Sequence, residues 1–230
     1  MATSGDGSQL IAVGEEAGRA RTFVWAVAWP GWCRGGRSRD LALAALASTA
    51  GRYAAVAAGA GLRLETGSVD PAELGPGEFV VVETIAGSAS TEFGVPGGVT
   101  ELDRRAVDAA EAARQARLVQ AAWSTLDRVA AGAPAELRKG PRGGGRDRDK
   151  VVGHCNASDA AYAGQLGLRL KEPASGDRQA VEAVRGAILE VLARPSDGSP
   201  IAGRRWPARY AARRIAWHAL DHAWEIEDRS

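Results

Sequence analysis

The chain has 230 residues, 45% of them hydrophobic and 25% charged, enough to bury a sizeable core in one large domain or two small ones. Its 29 basic and 28 acidic side chains nearly cancel, which excludes a strong general attraction to nucleic acid or to an anionic membrane. No apolar run approaches the roughly 20 residues of a membrane helix, and the amino terminus lacks the pattern of a secretory signal, so a cytoplasmic protein is expected.

Residues 1–8 are small and polar and read as a disordered start. Residues 10–13 and 22–29 are apolar runs rich in β-branched and aromatic side chains, and Pro30-Gly31 follows as a turn signal, which predicts a hairpin. Residues 39–58 change to helical spacing, with Leu41, Leu43, Ala44, Leu46 and Ala47 leading to Tyr53 and Val56. Residues 78–85 read as one more strand. The Gly-, Ser- and Pro-rich stretch 86–99 has no periodicity and marks a boundary. Beyond it, four amphipathic stretches, 100–131, 148–166, 177–193 and 207–228, predict helices joined by polar loops. The expected fold class is therefore an α+β unit over residues 9–98 followed by an all-α four-helix bundle over 99–230.

The chain has three histidines, His154, His218 and His222. His218 and His222 stand one helical turn apart, so both imidazoles share a face on which they can grip one ion. At 100° per residue His218, Asp221, His222 and Glu225 fall within an arc of about 100°, beside the apolar positions Ile215 and Ala219. His154 shares a face with Val151, Ser158 and Ala161 of another helix and can complete a three-nitrogen site with one coordination position open. The alternative is that these are ordinary histidines bonded to neighbours such as Ser158 or Glu225. Three neutral imidazoles would leave the charge of a divalent ion uncancelled, so a thiol or water beside it would lose its proton more easily. Asp221 and Glu225 are candidates to orient the imidazoles or to accept that proton, with pairing to Arg214 or Arg229 as the plain alternative. Asp159 is turned away from His154, and the adjacent Cys155 reads as a small buried residue, as does Cys33.

The stretch 138–150 holds six basic residues and four glycines just before the helix of His154. Arg142, Arg146 and Lys150 are its candidates for holding an anionic substrate group, and a solvated connection is the alternative. It lacks the ending of a phosphate-binding P-loop and has no interleaved aromatics, so nucleic-acid binding is not expected. Trp25, Trp29 and Trp32 cluster around the Pro30-Gly31 turn, and Trp217 and Trp224 stand seven residues apart on the last helix. Each set is read as part of its own core, with docking of one surface on the other as the alternative.

The closing string Arg-Tyr-Ala-Ala-Arg-Arg-Ile-Ala-Trp-His-Ala-Leu-Asp-His-Ala-Trp-Glu-Ile-Glu-Asp-Arg, residues 209–229, resembles the last helix of DinB/YfiT-like proteins. The string Lys-Val-Val-Gly-His-Cys-Asn-Ala-Ser-Asp-Ala-Ala-Tyr, residues 150–162, resembles that family's second helix. The resemblance implies a four-helix bundle that binds a divalent metal, zinc or nickel, through His154, His218 and His222. It further implies a metal-dependent transferase, isomerase or hydrolase that acts on a small-molecule thiol or electrophile, with mycothiol as one such thiol cofactor. Residues 20–85, through their strand, Pro-Gly and helix pattern, resemble HicB-like domains, a family that includes partner-binding antitoxin components. A non-catalytic stress or interaction protein, stabilised by its metal and using the HicB-like part to meet a partner, is the second reading. A homodimer is compatible with either.

Overall fold

The computed structural model describes residues 10–67, 69–140 and 145–230, so the expected disordered start lies outside the described residues. Three strands come first, β1 (Ile11–Ala17), β2 (Thr22–Ala26) and β3 (Cys33–Gly36). Two helices follow, α1 (Arg39–Ser48) and α2 (Ala50–Gly59), then β4 (Phe79–Ala86) and the short α3 (Ala89–Phe93). Four long helices complete the described chain: α4 (Ala109–Gly132), α5 (Arg148–Gln165), α6 (Arg178–Leu192) and α7 (Ala208–Arg229). The layout is α+β, a small mixed sheet with helices packed on it. Among the described residues no single helix is long and apolar enough to cross a membrane.

The sheet runs β3-β2-β1-β4, with β1 antiparallel to β2, β2 antiparallel to β3 and β1 parallel to β4. The expected hairpin is β1 and β2, with Val13 opposite Ala26. β3 was not expected, because Cys-Arg-Gly-Gly has no apolar alternation; it is fixed by tertiary partners, pairing with β2 and packing on α1. Gly14 lies opposite Trp25, and a Cβ there would stand 2.4 Å from the indole, so the glycine lets that ring lie across the strand.

The single helix expected over 39–58 is two, bent by 52° at Thr49. Ser48 Oγ donates to the Ala45 carbonyl at 2.9 Å and Thr49 Oγ1 to the Leu46 carbonyl at 2.8 Å, while the Trp32 indole N–H donates to the same Leu46 oxygen at 3.0 Å. Side-chain donors thus compete with the helix's own amides. The helix expected from residue 100 begins at Ala109, where Asp108 accepts from the Glu111 amide at 2.8 Å. Upstream, Asp103 captures the Thr100 amide and hydroxyl in a separate turn.

One apolar cluster joins the sheet to the helices, from Ile11 and Val13 through Trp32, Tyr53 and Leu126 to Leu220 and Ile226. The Pro30-Gly31 turn rests on α7: Gly31 has φ +93°, and a Cβ would lie 2.9 Å from that of Ala216 and 3.0 Å from Leu220. Only glycine meets both demands. A second cluster unites Phe23, Trp25 and Cys33 with Trp217. This corrects the expectation that each tryptophan set belongs to its own core, since Phe23 meets Trp217 edge to face at 6.3 Å.

Candidate metal centre

α7 has 22 residues with no internal Gly or Pro, so its face is regular and residues 218 and 222 stack one above the other. α5 packs beside it and carries His154 at the same level. Nε2 of His218 and Nε2 of His154 are 3.2 Å apart. The ring centroids are separated by 5.0 Å for His154 and His218, 5.1 Å for His154 and His222, and 4.7 Å for His218 and His222. One nitrogen from each ring can be chosen so that all three lie within 4.8 Å of one another. Nitrogens about 2.0–2.1 Å from a tetrahedral zinc ion stand roughly 3.3 Å apart, so the His154–His218 pair already has ligand spacing and the third nitrogen lies within 4.8 Å of both.

Burial and nearby positive charge keep two of the rings unprotonated. Burial, then His222, Arg214, His154 and Arg146, push the His218 pKa down to about 2. Burial, then His222 and Arg146, lower that of His154. Both are neutral near pH 7, the form that offers a lone pair to a metal. His222 Nδ1 donates to Glu225 Oε2 at 2.8 Å, which leaves the His222 Nε2 lone pair free. The hydrogen bond from His222 in turn holds the Glu225 carboxyl below its ordinary range, and Arg229 donates to its other oxygen at 2.6 Å. Tyr162 closes one side of the site edge-on to His218 at 5.6 Å, and its hydroxyl accepts from Arg214 at 3.2 Å.

Of the other expected site residues, Glu225 touches an imidazole and Asp221 does not. Asp221 is paired at 2.9 Å with Arg34, carried in from β3, so its first partner is a guanidinium. Burial raises the Asp221 pKa and Arg34 pulls against it. Arg146 is exposed but near enough to oppose protonation of His154 and His218. Lys150 is exposed one turn before His154, and Arg142 lies outside the described residues. Burial raises the pKa of the Cys155 thiol and takes that of Cys33 to about 12, so neither is a ready nucleophile. Asp159 faces away, accepting from the Trp123 indole and from Arg185, each at 3.2 Å.

Arg34, Tyr162 and Arg214 were not read from the sequence as parts of the site. Arg34 lies in an unpatterned strand 187 positions from its partner and also stacks 4.2 Å from the Trp224 ring. A cleft of about 540 Å³ is lined by Arg34, Thr49, Arg52, Asp221, Trp224 and Glu225, among others, and by none of the three histidines. Glu225 thus touches both the histidine cluster and open space.

In comparisons with family models, curated proteins and solved structures, nothing matches this chain.

Proposed function

We propose that the chain is a divalent-metal-dependent enzyme of the DinB-like kind, with α4 to α7 as its four-helix bundle and His154, His218 and His222 as its zinc or nickel ligands. The observation that carries this reading is the meeting of all three histidines of the chain at one point between α5 and α7. A bound divalent ion would supply Lewis acidity, favouring loss of a proton from a thiol or water beside it. The protein's part is positional. Glu225, ionised, fixes the His222 ring, while the buried setting of His218 keeps that imidazole unprotonated. Asp221 is engaged by Arg34, and both Glu225 oxygens are engaged by His222 and Arg229, so the two carboxylates act by holding their neighbours in place. The reaction class is transfer or isomerisation with a small thiol, or hydrolysis.

The test is consumption of a thiol such as mycothiol with electrophilic substrates by the zinc- or nickel-loaded full chain, against H218A and against chelated protein. The reading expects turnover that falls at least about a hundredfold in both controls while the helical circular dichroism of H218A is retained. Turnover untouched by H218A would overturn the site. A tightly held ion with no turnover of any thiol or ester would favour the non-catalytic reading, in which the ion only cross-links α5 and α7.

A further inference from the structure

A second cleft, of about 390 Å³, opens on the other side of the Arg34–Asp221 pair. Its lining includes Arg21, Phe23, Arg34, Arg37, Gly94 and Asp221. Three guanidinium groups face one carboxylate, and Arg34 already engages that carboxylate at 2.9 Å. On a chain of net charge +1 this is a local excess of cation. Among the described residues Arg21 and Arg37 form no ion pair. The neighbouring carboxylate of Glu92 is occupied by the main-chain amides of Arg19 and Ala20. Beneath the cleft, Phe23 rests on Trp217, whose buried indole N–H has no acceptor among the described residues. Trp217 and Asp221 stand one turn apart on α7, and Asp221 lines both this cleft and the one that Glu225 borders.

The volume suits a small molecule, and planar guanidinium forks match carboxylate and phosphate oxygens two at a time. We propose that this cleft holds the oxyanion end, carboxylate or phosphate, of the small molecule on which the protein acts, with Arg21 and Arg37 gripping it and Arg34 shared between the ligand and Asp221. That the bound molecule is the substrate rests on the metal-enzyme reading; the anion site itself does not. It also locates anion recognition on the sheet, apart from the basic loop before α5.

Calorimetric titration of the full chain with succinate and with inorganic phosphate tests this, in metal-free and zinc-loaded forms, for wild type, R21Q, R37Q and, as a control for general charge, R128Q. All three replaced side chains are exposed, so the fold is not at stake. The proposal expects saturable binding of one probe per chain, weakened about tenfold by R21Q and by R37Q and unchanged by R128Q, with or without zinc. Which probe binds better tells carboxylate from phosphate. No binding of either probe at millimolar concentration, wild-type affinity in R21Q and R37Q, or equal weakening by R128Q would overturn it. Because binding is read without metal, a chain that takes no zinc but binds the probe sinks the metal reading alone.

Discussion

His218 is 7% exposed, and burial together with the neighbouring rings and Arg214 keeps it from accepting a proton. In the unfolded chain the same imidazole titrates near its ordinary 6.5, whereas folded it does so near 2. Between those values the unfolded state binds a proton that the folded state refuses, so stability is full above about pH 6.5 and falls as pH drops below it. For the metal-free protein the expected slope from this residue averages about 1 kcal/mol per pH unit between pH 7 and 5, read from denaturant midpoints, and approaches about 1.4 at the lower end. H218Q should flatten that slope; an unchanged slope would show that the ring is protonated in the fold. The placement of this residue was legible in the sequence, because helical period alone fixes the angle between positions 218 and 222. Arg34 was not, because no local pattern says which distant carboxylate an arginine of an edge strand will meet.

α7 is fixed to the sheet side of the molecule through a face well away from its histidines. Arg213, five residues before His218 and so about 140° around the helix, donates to Asp103 at 3.1 and 2.6 Å and to the Gly98 carbonyl at 2.9 Å. Its guanidinium lies 4.2 Å from the Trp25 ring, and Tyr210 adds a hydrogen bond to the Gly97 carbonyl at 3.0 Å. Arg213 and Asp103 are both buried, so R213M leaves a carboxylate without its counter-ion and should cost about 3–5 kcal/mol in chemical denaturation. A loss under about 1 kcal/mol would mean that the pair is solvated. The stretch 86–99, read as a boundary from its composition, supplies the carbonyls that anchor this helix. The helices α4 to α7 were legible as periodic runs. The break at Thr49 was not, because it depends on an indole N–H from a turn 17 residues away.

Across the whole molecule, the order of the long helices and of β1, β2 and β4 was readable, while β3, the break at Thr49 and the mutual packing of the elements were not. Strands and helices announce themselves by period, but the docking of the Pro30-Gly31 turn on Ala216 and of Phe23 on Trp217 is a matter of shape between distant segments. That docking carries Arg34 to Asp221 and makes the sheet a wall of the two clefts that Asp221 lines. It also means that α7, which carries two of the three imidazoles, is clamped on one side by the sheet and on the other by α5, which carries the third. X-ray absorption spectroscopy of the zinc-loaded full chain, with H154A, H218A and H222A beside it, measures that directly. The account predicts one ion per chain with three nitrogen ligands at about 2.0–2.1 Å, a fourth ligand that changes when thiol is added, and loss of a nitrogen ligand or of the ion in each variant. An ion that is not retained, or a coordination sphere identical in all four proteins, would contradict it.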